Sequence, residues 1–179
     1  MIWFTADQEF EHGNILRYAN RPFNSLNHMN TELVNRWNEV VAKEDTVYIL
    51  GDFAYKNEQF WAKQLNGEKF LIPGNHDKLR KQGKIGELIV LPPIFEIRKA
   101  LLDEYGNPRT IVLCHYSLRS WNKSHYGSYC LFGHHHNKLE PYGLSFDCGV
   151  DTNNFYPYSL NDVEGKMKTL KPIVDFRVK

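Results

Sequence analysis

The fold class this sequence predicts is α/β, with two stacked sheets and helices outside, and three observations predict it. Met1 to Leu50 reads strand, helix, strand, which is a βαβ unit. From Leu88 onward, short β-rich runs follow one another across turns, the texture of antiparallel hairpins, so a parallel first half is expected to give way to a more antiparallel second half. Apolar runs also end repeatedly in Asp, Asn or His. That puts reactive side chains at the C-terminal ends of strands, where open α/β sheets hold their ligands.

In chain order, Met1–Ala6 is a continuous apolar run, as in a strand covered on both faces. Gly13–Ala19 reads as a short helix and Asn20–Ser25 as a loop. Leu26–Ala42 carries Leu26, Met29, Leu33, Val34, Trp37, Val40 and Val41 at helical spacing. Thr46–Leu50 is the second strand, and Glu58–Leu65 is a helix stopped by Asn66 and Gly67. Lys69–Pro73 is the third strand, with a short helix expected over Asp77–Gln82. Strands follow at Leu88–Leu91, Ile94–Leu102, Arg109–Cys114, Tyr129–Phe132 and Leu144–Cys148, with an irregular loop over Ser117–Gly127 and a last helix over Leu160–Leu170. Without repeats or linkers, residues 1–179 are expected to form a single domain.

Composition narrows the function classes. Lys and Arg number 22 against 21 Asp and Glu, a net charge of +1, so the overall basic field of a nonspecific nucleic-acid binder is missing. Cys114, Cys130 and Cys148 are odd in number and lie in or beside apolar runs, which predicts reduced buried thiols rather than a disulfide framework. No apolar run is long enough to span a bilayer and no signal peptide is read at Met1, so a cytoplasmic protein without membrane partners is expected.

The strand endings together imply chemistry. Asp7, Asp52, Asn75, His115, His134 and His136, with Glu9, offer more donors than one tetrahedral zinc takes, which is about four. Two ions about 3.5 to 4 Å apart fit better, with a carboxylate between them to offset their repulsion. Asp52, behind a central strand and Gly51, is the best bridge. The imidazole, amide and carboxylate set suits Mn first, with Fe, Zn, Ni, Co and Mg as alternatives. Such a pair polarises a phosphoryl oxygen and generates hydroxide near neutral pH. His76 is left to donate a proton to the leaving oxygen, with Asp77 to orient it.

In their order, Asp7, Gly51-Asp52, Gly74-Asn75-His76-Asp77, His115 and Gly133-His134-His135-His136 resemble the calcineurin-like metallophosphoesterases. The segment from Asp7 to Asn14, with Asn20-Arg21-Pro22-Phe23 and Ser117–Gly127, is similar to their small single-domain members of bacteria and phages. The resemblance implies a four-layer αββα sandwich of two mixed sheets flanked by helices. It implies that Asp7 and His136 with Asp52 hold one metal, that Asn75, His115 and His134 with Asp52 hold the other, and that His76 is the general acid. One position departs: the family writes Asp-x-His where this chain has Asp7-Gln8-Glu9. Glu9 is expected to give the first metal an oxygen and to favour harder ions such as Mn or Mg. His12 and Arg21 are expected to face the substrate phosphate.

The expected activity is hydrolysis of a phosphomonoester or phosphodiester of a small molecule or nucleotide, with metal-bound hydroxide as nucleophile. A nuclease or nucleic-acid end-processing enzyme ranks below it, because the charge balance offers no duplex channel. A metal-binding scaffold without strong catalysis is the third reading. Taken singly, several residues have bland roles: His28 on a helix surface, His135 beside the ligands, Trp121 in packing and Cys114 as an inert thiol.

Overall fold

The computed structural model describes residues 1–78, 81–102 and 106–173. Its first sheet has six strands. At its centre β1 (Ile2–Thr5), β2 (Thr46–Ile49) and β3 (Glu68–Leu71) run parallel, with Trp3 opposite Val47 and Val47 opposite Lys69. Beyond β3 lie β5 (Leu88–Val90), also parallel, and then the antiparallel β4 (Gly83–Ile85); β10 (Tyr158–Ser159) closes the other edge against β1. The edge strands β4 and β10 have three and two residues, too few to leave a period in the sequence.

Alternation along the strands divides two cores. Trp3, Val47, Ile49 and Leu71 point to one face, where they meet Ile15 of α1 (Ile15–Tyr18), Met29, Leu33 and Trp37 of α2 (Leu26–Val40), and Ala62 of α3 (Glu58–Gln64). The start of α2 is set by Ser25, whose hydroxyl accepts the His28 N–H at 3.1 Å. Phe4, Leu50 and Ile72 point the other way, into a core shared with Ile111, Leu113, Leu131 and Phe146 of the second sheet.

That second sheet runs β6 (Ile94–Leu102), β7 (Pro108–Cys114), β8 (Tyr129–Phe132), β9 (Ser145–Asp147), in that order. The β6–β7 hairpin is antiparallel as expected, but β7–β8 and β8–β9 are parallel. The long connection over residues 115–128 leaves room for the crossover a parallel pair needs.

The expected αββα sandwich is corrected by what covers these sheets. Strands dominate and helical segments make up 24% of the structure. Among the described residues no α-helix lies on the outer face of the second sheet: Val112 and Cys130 are covered there by Trp121 and Leu118 from the irregular loop, and by Ile173. That loop has three Ser with single Asn and Lys residues and no apolar stripe from which a helix could be built, so only a 3-10 turn forms, at Ser124–Tyr126. The last helix, α4 (Leu160–Met167), puts Val163 and Met167 into the core between the sheets rather than forming a fourth layer. The short helix expected over Asp77–Gln82 is also corrected: 77–78 and 81–82 are not helical, and 79–80 lie outside the described residues.

Candidate metal centre at the strand tips

The parallel strands stop side by side, and hydrogen bonding continues past their ends. Asp7 N–H donates to the Gly51 carbonyl at 3.0 Å, Glu9 N–H to the Asp52 carbonyl at 3.0 Å, and Gly133 N–H to the His115 carbonyl at 3.0 Å. The tips of β2 and β3 approach so closely that a Cβ on Gly51 would meet the Gly74 backbone at 2.7 Å, and Gly51 itself has φ of +86°. Only glycine fits there. Five of the expected ligands occupy the left-handed region that L side chains avoid: Asp7, Glu9, Asp52, His134 and His136, with φ from 48° to 71°. Eight other non-glycine residues share that region, among them Asn20, Lys99 and Phe155, so the conformation accompanies the site without being confined to it.

Asp77 does not orient His76, which corrects its expected catalytic role. Its carboxylate accepts three backbone N–H groups, from Asp52 and Gly74 at 2.8 Å each and from Phe53 at 2.9 Å. It clamps the two loops together. Burial nevertheless pushes its carboxyl above the ordinary value.

Asp52, His115 and His134 have ligand atoms within 4.8 Å of one another. The His115 Nδ1 lies 2.8 Å from the Leu50 carbonyl, which fixes the ring so that Nε2 faces the Asn75 Oδ1 at 3.0 Å and the Asp52 Oδ2 at 3.3 Å. A metal-binding imidazole is oriented in this way, one nitrogen on a carbonyl and the other toward the ion. Burial pushes His115 down, but the Asp52 hydrogen bond and charge outweigh it and hold the ring above its ordinary pKa. Asp52 mirrors this: burial pushes it up, and His115 with the His76 N–H holds it below. Burial, then repulsion from His115, lowers the His134 imidazole below its ordinary pKa.

Asp7 is fully buried beside this group. One carboxylate oxygen accepts the His134 N–H at 2.8 Å, while the other, Oδ1, is buried with no hydrogen-bond partner. Burial, then the charges of Asp147 and Asp52, push its carboxyl well above the ordinary value. An unmatched buried oxygen costs about 1–3 kcal/mol, and a cation would remove that cost. His136 has its Nδ1 on Asp151 at 2.8 Å, a pairing that fixes the ring, though neither His136 nor Asp7 is among the ligand atoms that cluster within 4.8 Å.

Two expected residues stand elsewhere. Arg21 does not face a phosphate. Its guanidinium bonds Asp151 twice at 2.8 Å, the Asp7 carbonyl at 2.6 Å, the Gln8 carbonyl at 3.0 Å and the Met29 sulfur at 3.4 Å, with its side chain fully covered. Its five donors are all engaged, so it buttresses the Asp7 turn and Asp151. Glu9, expected as a metal ligand, has both carboxylate oxygens taken by imidazoles: His76 Nδ1 at 2.7 Å and His12 Nδ1 at 2.9 Å. Those three residues also have ligand atoms within 4.8 Å of one another.

Sequence reading missed Asp147 and Asp151. The signal was there, since Ser145-Phe146-Asp147 followed by Cys148-Gly149 is another apolar run ending in Asp and Gly. Tyr55, stacked on His12 with centroids 5.0 Å apart, and Tyr116, edge-on to His134 at 4.9 Å, lie in loops that no period marks.

Among curated proteins, the chain is similar to the uncharacterized protein MJ1445 of Methanocaldococcus jannaschii, 33% identical over 172 residues, covering 89% of this chain and 87% of that one. It is also similar to the Gene 66 protein of Mycobacterium phage L5, 26% identical over 162 residues, covering 76% and 78%. The Gene 66 protein of Mycobacterium phage D29 is 35% identical over 83 residues, covering 43% of this chain and 40% of that one. Among solved structures, AQ665 of Aquifex aeolicus, described as a protein of unknown function, superposes with a TM-score of 0.68 at 20% identity, covering 93% and 98%. At that identity the likeness concerns fold alone. No family model matches the chain.

Proposed function

From a chain that belongs to one family with the uncharacterized protein MJ1445 of Methanocaldococcus jannaschii, we propose a metal-dependent phosphoesterase acting on a monoester or diester of a small phosphorylated compound or nucleotide. The observation that carries this reading is the orphaned, buried Oδ1 of Asp7 beside Asp52, His115 and His134, an arrangement that a cation would complete. Asn75, His115 and His134 with Asp52 would hold one ion, and Asp7 and His136 with Asp52 a second. Manganese fits this oxygen and imidazole set best, with Fe, Zn, Ni, Co and Mg as alternatives. When bound, the ions supply the charge that polarises the phosphoryl group and lowers the pKa of the attacking water.

The chain's own residues do the rest. His115 and His136 are held by Leu50 and Asp151, so their donor atoms need little reorganisation. His76 is partly exposed, has its Nδ1 on Glu9, and offers Nε2 outward to protonate the leaving oxygen. The balanced charge leaves a nucleic-acid substrate ranked second. Three buried free thiols support a reducing, cytoplasmic setting, and no helix among the described residues is long and apolar enough to cross a membrane.

The test is hydrolysis of a generic aryl phosphodiester with added manganese. Aryl turnover that falls in Asn75→Ala, and turnover of an alkyl phosphodiester that falls in His76→Ala, are the expected results. Absence of turnover with every divalent ion tried, or variants as active as wild type, would end the proposal.

A further inference from the structure

We propose that Glu9 is a positioning residue: one buried carboxylate holds the Nδ1 sides of His76 and His12, and so aims the His76 Nε2 at the leaving oxygen. This rests on the phosphoesterase reading and gives the departing position in the Asp7-Gln8-Glu9 triplet a role other than metal ligation.

The Glu9 side chain is fully buried, so its charge has no water to turn to. Its two oxygens are each matched by one imidazole, Oε1 with His76 at 2.7 Å and Oε2 with His12 at 2.9 Å. Two ring N–H groups donating to one carboxylate satisfy it as a charge and leave both Nε2 atoms on the far side of their rings. The rings are held from other directions too. His12 stacks on Tyr55 at 5.0 Å and meets Tyr18 edge-on at 6.3 Å. His76 stands edge-on to His12 at 5.3 Å and to Tyr55 at 6.2 Å, and its backbone N–H donates to Asp52 at 2.8 Å. A donor fixed on so many sides does not have to be ordered when substrate arrives, which is what orientation contributes to a rate.

The step balances as follows. The bond from the attacking water oxygen to phosphorus forms as the bond to the leaving oxygen breaks. The leaving oxygen takes the His76 Nε2 proton, the attacking water's released proton goes to solvent, and solvent reprotonates His76. A loss of aim should therefore be felt most where the leaving group needs the proton most. Alkyl leaving groups, which depart poorly as anions, depend on the acid, whereas p-nitrophenolate scarcely does.

Glu9→Gln keeps the shape and removes one acceptor. With manganese, kcat toward an alkyl phosphodiester is expected to fall about 100-fold, against less than tenfold toward bis-p-nitrophenyl phosphate, with KM changed less than twofold and the manganese content per chain unchanged. Imidazole nitrogen NMR on the magnesium-loaded protein gives a readout independent of turnover. Wild type should show His12 and His76 protonated at Nδ1, and Glu9→Gln should lose that state on at least one ring while the dispersed spectrum shows it is folded. Equal losses for both leaving groups, a manganese ion lost with Glu9→Gln, or Nδ1 unprotonated in wild type would overturn the proposal, the second by making Glu9, His12 and His76 an ion site. A wild type inactive with every divalent ion would instead overturn the phosphoesterase reading and the catalytic part of this one, leaving NMR to decide whether Glu9 holds the rings.

Discussion

The two ends of the central strands use aspartate in opposite ways. At the N-terminal end, Asp45 precedes β2 and its carboxylate gathers the N-terminal ammonium, the Trp3 indole N–H at 2.8 Å and the Ala42 N–H at 2.9 Å. The bond from the terminal ammonium, then that from Ala42, lowers its pKa to about 2. At the C-terminal end, Asp7 sits buried with one oxygen unmatched and its pKa pushed well above the ordinary value, first by burial. One end is satisfied by the chain itself. The other leaves one carboxylate oxygen without a hydrogen bond, on backbone held in the left-handed region.

The contrast can be broken most directly at Asp52. Asp52→Asn removes the shared charge, and turnover with manganese is expected to fall about 10⁴-fold; a loss under tenfold would mean Asp52 does not bridge. Asp151→Asn acts at one remove, through the ring of His136, and should weaken manganese binding about 10- to 100-fold in a metal titration, with turnover recovered at excess metal.

Stability measurements sharpen the comparison further. Replacing Asp7 by Asn removes a carboxyl that the folded chain holds protonated more readily than the unfolded one. Metal-free protein should gain about 1–2 kcal/mol at neutral pH by denaturant unfolding, while losing metal. The sign follows from the raised folded pKa: the folded state binds more protons, so this group's contribution falls as pH rises above about 4. Asp45 gives the opposite slope. Its folded pKa is depressed, so its contribution is present above about pH 4 and is lost as pH falls toward 2. Asp45→Asn should cost about 1 kcal/mol, since its ammonium partner on Met1 is largely exposed and screened by water, or about 3 °C in Tm, and should leave turnover unchanged.

How much of this was legible in the sequence depended on whether an element carries a period or a motif. The amphipathic stripe of α2 and the apolar runs of β1, β2 and β3 were readable because burial on one or both faces repeats in the chain. Strand direction in the second sheet was not, since parallel and antiparallel partners use the same residue types and only the path of the 115–128 connection decides. The lack of a helical cover on the second sheet among the described residues follows from the same cause: a cover made of loop, with Trp121 as its anchor, has no repeat to read. The convergence of Asp52, His115 and His134 could be anticipated from strand endings. The duties of Arg21, Asp77 and Glu9 could not, because whether a charge faces a ligand, a backbone amide or a neighbouring imidazole is settled by contacts between residues far apart in the chain.

The most direct measurement is anomalous diffraction at the manganese edge from crystals grown with excess manganese. Two peaks about 3.5 to 4 Å apart with the Asp52 carboxylate between them are the predicted result. A map without manganese at the tips of β1, β2, β7 and β8, or with those side chains too far apart to share an ion, would contradict it.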